Sequence, residues 1–498
     1  MMRKVIIFGI DGADWNLINS SIKSGSLMVF NEVIQNGFSG ALISTIPPFS
    51  LPAWTSIFTG TNPGKHGITD IIIREKRVFK IATSNYRMVE PIWCYLSYKG
   101  LKSIIVNEPT TFPPEIINGI MISGMMTPSR SSNFAFPSTI ISELKRVTEG
   151  YWYEVPNEYY KLIGKDRGKA FNLLNQFATK TFKAGMYLAQ NYEWNLLVMI
   201  LTSTDRLQHF YFNYPEYVKK HYQFIDKMLN DLLNLAISED AQLIIVSDHG
   251  FKPIKYHFNV NALLKRLGFQ KRKLPRDLFG RVNPRFRSQF KDLFSKIGLL
   301  TKRYLNENRE DAAFAKTASG IHFSNMLDDI KKRILTKILI NNLSKVKGPD
   351  GKSPIKEVFK REEITWGSYV NRAPEIILLC NEGYEASSDP FTLEIFELPF
   401  YKRVRLTGGH RPKGIFLAYG SSIRKHCATK EYIFAWDVAP ILLHMLGLAI
   451  PDYMDGRVLK EIFKEGSEPA IRSIKYKYRT EQERIRLRLK ALSKRRII

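Results

Sequence analysis

The sequence has 498 residues, a formal net charge of +27, 44% hydrophobic residues and 24% charged residues. These values are typical of a globular protein with a large core, and the length exceeds that of one ordinary domain. The three cysteines lie far apart without CxxC spacing, which argues against a disulfide framework and against a thiolate zinc site. No apolar run approaches the ~20 residues of a membrane-spanning helix. The first apolar stretch is short and ends in Asp11, unlike a signal peptide, so we expect a cytoplasmic protein.

Apolar strands alternate with amphipathic helices along the chain. The predicted strands are Val5–Ile10, Ser103–Val106, Leu196–Leu201, Leu243–Val246, Glu375–Leu379 and Gly414–Leu417. Apolar residues at helical spacing predict helices over Lys169–Tyr192 and Glu216–Ile237. Because most of the strands are continuously apolar, as strands covered on both faces are, the pattern predicts an α/β fold with a mainly parallel sheet. In such sheets, ligands bind outside the carboxyl ends of the strands.

Two regions interrupt this alternation. One is rich in aromatic and polar residues, and the other contains a strongly basic stretch that begins near Lys271. We therefore predict a catalytic core interrupted by two insertions, which cover the site and influence substrate choice, and followed by a basic tail. The predicted core comprises 1–128, 169–256 and 370–465, with a small insertion at 129–168, a basic insertion or cap at 257–369, and a basic C-terminal tail at 466–498.

Aspartate and histidine residues recur where strands end. They are Asp11 after the first strand, Asp205 and His209 after Leu196–Leu201, Asp248 and His249 after Leu243–Val246, and His410 in a glycine-rich approach to Gly414–Leu417. The i, i+4 spacing of Asp205 and His209 places both on one face of a helix, where they can chelate a single ion. A buried carboxylate beside an imidazole is costly without a partner. Oxygen and nitrogen ligands without thiolate favour zinc, with manganese as the weaker alternative.

Ser50 is the candidate nucleophile. It precedes Pro52, which is tolerated in the first turn of a helix, and the helix is predicted to run to Phe58 and to end near Gly60. We expect Ser50 to have the character of an N-cap. Free backbone N–H groups and the positive end of the helix dipole then make this position an anion site suited to a phosphoryl group.

From these residues the chain resembles the alkaline phosphatase superfamily, and within it the type I phosphodiesterase/nucleotide pyrophosphatase family. The matching motifs are Phe8-Gly9-Ile10-Asp11-Gly12, Ser50-x-Pro-Ala-Trp-Thr-Ser-x-x-Thr59-Gly60, Asn62-Pro63-Gly64-Lys65-His66-Gly67-Ile68, Asp205-Arg-x-x-His209, Ser247-Asp248-His249-Gly250 and Gly408-Gly409-His410. The resemblance implies a three-layer alkaline-phosphatase-like core and two divalent metal ions. It implies that Asp205, His209 and His410 hold one ion. The other is held by Asp11, Asp248 and His249, with Ser50 in contact. It further implies hydrolysis of a phosphodiester, or another phosphate ester, through a phosphoserine at Ser50.

The substrate and two alternative functions stay open. The family's nucleotide pyrophosphatases usually carry Asn three residues after the nucleophile, where this chain has Ala53, so a nucleotide substrate is in doubt. Arg206 and Arg411 adjoin the ligands and are predicted to contact substrate phosphate, and a role for each as an outward ion-pair residue is the equal alternative. One alternative is a phosphoryl or phospholipid-headgroup transferase with the same phosphoserine. The other is a basic scaffold that binds nucleic acid or anionic membrane through the tail and the basic region 268–325. The excess positive charge favours an anionic partner, although a surface adapted for solubility explains it equally well. The sequence does not indicate the oligomeric state.

Overall fold

The structure is a computed structural model that describes residues 3–75, 78–128, 131–270, 311–318, 320–401 and 404–478. The strands, numbered in chain order, are β1 (Val5–Ile10), β2 (Phe38–Ile43), β3 (Ile72–Glu75), β4 (Val78–Ile81), β5 (Ser103–Glu108), β6 (Gly119–Ser123), β7 (Ala135–Phe136), β8 (Leu196–Leu201), β9 (Gln242–Val246), β10 (Gly250–Asn259), β11 (Ala313–Phe314), β12 (Gly320–Phe323), β13 (Ile355–Lys360), β14 (Ile376–Cys380), β15 (Gly383–Ser387), β16 (Phe396–Glu397), β17 (Phe400–Tyr401), β18 (Val404–Arg405), β19 (Gly408–Arg411), β20 (Lys413–Tyr419), β21 (Cys427–Ala428), β22 (Ile433–Phe434), β23 (Ile450–Pro451) and β24 (Tyr476–Lys477). The helices are α1 (Trp15–Lys23), α2 (Met28–Gln35), α3 (Ser50–Thr59), α4 (Pro63–His66), α5 (Ile92–Tyr98), α6 (Ile140–Val147), α7 (Asn157–Leu162), α8 (Arg167–Asn191), α9 (Ser203–Tyr211), α10 (Pro215–Ser238), α11 (Val260–Arg266), α12 (Asp329–Lys345), α13 (Arg361–Ile364), α14 (Val438–Met445) and α15 (Glu468–Ile471).

A ten-stranded central sheet organises the fold. Its order is β21-β2-β20-β9-β1-β8-β5-β6-β7, and β22 also pairs with β2. The strands β9, β1, β8, β5 and β6 are parallel to their neighbours in this group. The strand β20 is antiparallel to both β2 and β9. The predicted α/β fold with a mainly parallel sheet is therefore confirmed.

Helices cover both faces of this sheet. The side chains of Ile6 and Phe8 enter a core shared with α1, α2, α8 and α10. Those of Val5 and Ile7 point the opposite way, into a core shared with α3, α5 and α14. Because successive side chains of a strand point to opposite faces, a strand buried on both sides must be apolar at every position. The continuous apolar runs in the sequence thus reflect a three-layer arrangement.

Two predicted strands differ from expectation in how they pair. The strand β14, predicted as Glu375–Leu379, lies outside the central sheet, in a smaller antiparallel sheet of order β11-β12-β14-β13. The strand β20, predicted as Gly414–Leu417, is in the central sheet but is antiparallel. A continuous apolar run indicates that both faces are covered and carries no information about the direction of the neighbours.

The segments predicted as insertions contribute elements of their own. Within 129–168, Ile140, Leu144 and Tyr159 pack into the same core as α8. Within 257–369, α11, α12 and the smaller sheet surround a separate apolar cluster. The division into core, insertions and tail stays a prediction, and residues 271–310 and 479–498 lie outside the described part. At the start of the tail, β24 pairs in parallel with β23. Among the described residues, no helix is both long and apolar enough to cross a bilayer.

Candidate active site

The predicted ligands converge at the carboxyl edge of the central sheet. Asp11 follows β1 directly, and Asp248 and His249 form the connection between β9 and β10. Asp205 and His209 lie on α9, which follows β8. His410 lies on β19, whose antiparallel pairing with β10 sets it opposite Phe251. Since β9, β1 and β8 are parallel neighbours, the residues after them meet at one edge.

Ser50 lies within reach of two of these ligands. Its Oγ is 3.2 Å from His249 Nε2 and 3.4 Å from Asp11 Oδ1. The expectation that Ser50 is an N-cap was wrong in detail, because the N-cap of α3 is Phe49 and Ser50 is the first helical residue. The Ser50 side chain therefore does not cap its own helix and instead faces the carboxylates. The helix ends at Gly60 in the left-handed conformation (φ 65°), as the sequence predicted.

The backbone fixes the orientation of the three histidines. His209 Nδ1 lies 3.0 Å from the carbonyl oxygen of Gly408, His249 Nδ1 lies 3.2 Å from that of Gly250, and His410 Nδ1 lies 2.9 Å from that of Pro48. A carbonyl oxygen only accepts, so each Nδ1 carries a proton, and in the neutral form of each ring Nε2 presents a lone pair. This arrangement is usual around metal-binding histidines, because the second nitrogen is then free to coordinate.

The Nε2 atoms crowd together with the carboxylates. His410 Nε2 is 3.1 Å from His209 Nε2 and 3.0 Å from Asp205 Oδ1, and His209 Nε2 is 3.3 Å from the same oxygen. His249 Nε2 is 3.5 Å from Asp11 Oδ1 and 3.3 Å from Asp248 Oδ2. Two facing lone pairs on His209 and His410 repel each other unless a cation or a proton lies between them.

Burial of three carboxylates makes the cluster electrostatically unbalanced. Burial, and then the charges of Asp248 and Asp205, raise the pKa of Asp11 well above its usual value. Burial and the charge of Asp205 raise the pKa of Asp248 to about 8. For Asp205, burial opposes ionisation, but the positive charge and the hydrogen bonds of His209 and His410, in their protonated form, outweigh it and hold its pKa well below the usual value. A divalent cation relieves this kind of mutual repulsion directly.

The donor set fits divalent metal ions. Two groups have ligand atoms within 4.8 Å of one another, namely Asp205 with His249 and His410, and Asp11 with Asp248 and His249. His209 also belongs beside the first group by its distances to Asp205 and His410. His249 lies between the two groups, 4.0 Å from Asp205 Oδ1. Asp248 Oδ2 is buried and accepts no hydrogen bond from the described residues, so it has a lone pair available for a cation.

The two arginines predicted to contact substrate both have carboxylate partners. Arg206 Nε and Nη2 donate to Glu154 Oε1 and Oε2 at 2.7 and 2.5 Å. Arg411 Nε and Nη2 donate to Asp14 Oδ2 and Oδ1 at 2.7 and 2.5 Å. In addition, Arg206 Nη1 lies 3.8 Å from Asp205 Oδ2. Their role in substrate binding stays a prediction.

Sequence reasoning missed several residues that hold the site in place. Trp54 Nε1 donates to Asp11 Oδ2 at 3.2 Å. Its position four residues after Ser50, on the same face of α3, was a usable signal. Glu154 lies in the segment 129–168 that the sequence predicts as a small insertion, 52 residues before Arg206, and no local pattern connects the two. The three carbonyl groups that orient the histidines belong to the backbone, and no pattern of side chains identifies them as hydrogen-bond partners.

Comparison with known proteins identifies the family. The model of the type I phosphodiesterase/nucleotide pyrophosphatase family matches residues 5–393. Murine ectonucleotide pyrophosphatase/phosphodiesterase 5, in an inactive form bound to AMP, is similar with a TM-score of 0.54 at 16% identity, over 93% of this chain and 100% of that chain. The human counterpart has a TM-score of 0.53 at 16% identity, with the same coverage of both chains. A search of curated protein sequences gave no match.

Because the family model covers most of its length, the chain belongs to the type I phosphodiesterase/nucleotide pyrophosphatase family. The likeness to solved structures concerns the fold, and it confirms the predicted alkaline-phosphatase-like core. The protein is accordingly a phosphoric diester hydrolase of the nucleotide pyrophosphatase type, as the sequence predicted.

Proposed function

We propose that the protein hydrolyses phosphodiesters through a covalent phosphoserine at Ser50, with two divalent metal ions, preferably zinc. The main support is the convergence of Ser50 with three carboxylates and three Nε2 lone pairs at one sheet edge. In this proposal Asp205, His209 and His410 hold one ion, and Asp11, Asp248 and His249 hold the other beside Ser50. Such ions lower the pKa of an attacking hydroxyl and neutralise the charge that develops on phosphoryl oxygens.

The residues of the chain then have distinct tasks. In the proposed step Ser50 Oγ gives up its proton to solvent and attacks phosphorus, while the bond from phosphorus to the leaving oxygen breaks and that oxygen takes up a proton and departs as an alcohol. Water then attacks the same phosphorus, its oxygen stays on the phosphate product, and Ser50 Oγ takes up a proton and is released as the hydroxyl. The first backbone N–H groups of α3 lack intrahelical acceptors and, with the helix dipole, favour the anionic phosphoryl group. Trp54 holds the carboxylate of Asp11 by its indole N–H. The three backbone carbonyls keep the imidazoles in the coordinating tautomer.

The nature of the ester is part of the proposal. One similar structure, the murine ectonucleotide pyrophosphatase/phosphodiesterase 5, is a complex with AMP, so nucleotide diesters belong in any first substrate panel. Ala53 in place of the usual Asn argues for testing other diesters beside them. Phosphatidyl and nucleoside diesters, together with matching monoesters, form the proposed substrate panel.

Substitution of the nucleophile tests the proposal. With zinc-loaded protein and bis-p-nitrophenyl phosphate, Ser50→Ala and Asp248→Asn should each lower kcat by at least about 10³-fold, because both groups act directly at the reacting centre. Ser56→Ala is the matched control, since Ser56 is buried in the same helix but hydrogen-bonds to His66, and it should keep most of the activity. Acid quenching during turnover should leave a phosphoryl adduct on the peptide that contains Ser50.

Two outcomes would contradict the proposal. Full activity of Ser50→Ala would exclude the phosphoserine, and full activity of Asp248→Asn would exclude its role as a ligand. Addition of an alcohol acceptor tests the transferase alternative, because transfer products in excess of hydrolysis would favour a transferase with the same intermediate.

A further inference from the structure

The helix α12 has two apolar rows, one on the face that packs against the fold and one on the exposed face. Leu335, Leu339 and Leu343 lie four residues apart and are buried, with exposed fractions of 6%, 0% and 0%. These leucines belong to the apolar cluster that α11 and the smaller antiparallel sheet surround. This inner face explains why the helix is stably attached to the fold, because the burial of an amphipathic face supplies most helical stability.

The outer face of α12 carries a second apolar row. Ile330, Ile334 and Ile338 also lie four residues apart, and they are 71%, 54% and 40% exposed. Met326, just before the helix, is 71% exposed. Single exposed apolar residues are ordinary on a protein surface, but an aligned row on one helix face indicates an interaction site.

Basic residues border this isoleucine row. The helix contains Lys331, Lys332, Arg333, Lys337 and Lys345 against a single acidic residue, Asp329. At 100° per residue, Arg333 and Lys337 lie along one edge of the row. Lys331 lies along the other edge, where its Nζ pairs with Asp328 Oδ2 at 3.0 Å. The outer face therefore consists of a row of β-branched apolar side chains with a cationic edge formed by Arg333 and Lys337.

We propose that this outer face of α12 docks the protein on an anionic lipid bilayer. The isoleucines enter the boundary between headgroups and acyl chains, while the lysine and arginine stems extend outward so that their charges reach the lipid phosphates. Anionic lipid is the partner that satisfies both features, because it offers apolar depth and negative charge at the same surface. Nucleic acid has negative charge but offers no apolar layer into which the isoleucine row could insert. In a dimer formed through this face, the basic side chains of the two copies would lie close together and repel each other.

A flotation assay with the full-length protein tests the docking. Wild type should bind vesicles that contain phosphatidylserine and bind those of phosphatidylcholine alone at least about tenfold more weakly, with the difference reduced by salt. The triple substitution Ile330→Ser, Ile334→Ser, Ile338→Ser should weaken binding by at least about tenfold. Replacement of Arg333 or Lys337 by Gln should weaken binding by up to about fivefold per charge.

A matched control separates the row from general surface hydrophobicity. The triple substitution Met28→Ser, Ile116→Ser, Ile237→Ser removes three residues that are 77%, 84% and 60% exposed but lie on separate elements. It should leave vesicle binding unchanged. Both triple variants should keep the wild-type melting temperature and the hydrolysis of a soluble diester, because neither removes a buried or active-site group.

Several results would overturn the proposal. These are absence of vesicle binding by wild type, equal binding to neutral and anionic vesicles, and unchanged binding by the isoleucine variant. If the isoleucine variant instead abolishes a concentration-dependent dimer, the face is an interface between two copies. If the isoleucine variant loses RNA binding but keeps vesicle binding, the partner of this face is a nucleic acid and not a membrane.

Discussion

The buried ion pair between Glu154 and Arg206 connects the small insertion to the helix that carries Asp205 and His209. The two side chains are only 22% and 9% exposed, and the guanidinium also lies 3.8 Å from Asp205. Glu154→Gln removes the charge and keeps the shape. Loss of one partner of a buried pair costs about 3–5 kcal/mol, and the partial exposure of Glu154 brings the expected loss of unfolding free energy to about 2–3 kcal/mol.

The same substitution should also affect catalysis. Arg206, without Glu154, is drawn toward Asp205, and kcat should fall about tenfold, as for other residues that orient metal ligands. Urea unfolding and diester hydrolysis measure the two effects. Glu193→Gln is the control, because Glu193 pairs with Lys102 at the surface and is 84% exposed, so both quantities should stay at the wild-type value. Wild-type stability and kcat in Glu154→Gln would refute the reasoning.

Three further predictions concern pH and metal. Burial raises the pKa of Glu108 from 4.5 to about 7, so its contribution to stability is full below pH 4.5 and is lost as the pH rises through 7. The unfolding free energy of Glu108→Gln, measured with urea, should therefore exceed that of wild type by about 3 kcal/mol above pH 7. Near pH 4 the two unfolding free energies should be equal. Burial lowers the pKa of His221 from 6.5 to about 3, so wild type should lose stability as the pH falls below 6.5, and melting curves of His221→Gln should show a flatter acid limb. A chelator should lower the melting temperature of wild type by more than that of Asp248→Asn, because a bound ion at 100 times its Kd contributes about 2.7 kcal/mol to the unfolding free energy. An equal shift in the two proteins would contradict the assignment of Asp248 as a ligand.

The ligand positions were predictable because they depend on two local signals. Asp11 comes directly after an apolar run, Asp248 and His249 follow a second run after Ser247, and Asp205 and His209 show helical spacing after a third run. Parallel strands bring such positions to one edge without further information. Their roles as metal ligands stay a prediction that the geometry supports.

Other features depended on packing that no local pattern records. The direction of β20 and the placement of β14 in a separate sheet follow from tertiary contacts, because an apolar run reports burial alone. Glu154 meets Arg206 only after the insertion folds against α9. Ser50 was expected to cap its helix, whereas the chain enters α3 one residue earlier and leaves the hydroxyl free to face His249.

The orientation of the histidines by main-chain carbonyls has a consequence for mutational tolerance. A carbonyl oxygen is present whatever side chain stands at that position, so sequence drift around the site leaves the imidazole tautomers unchanged as long as the backbone keeps its path. At two of the three positions, however, the backbone path excludes any side chain. A Cβ on Gly250 would lie 2.1 Å from the Lys413 carbonyl oxygen, and one on Gly408 would lie 2.4 Å from that of Gln208. In a saturation mutagenesis map, these two glycines should therefore be as intolerant of replacement as the histidines whose protons they hold.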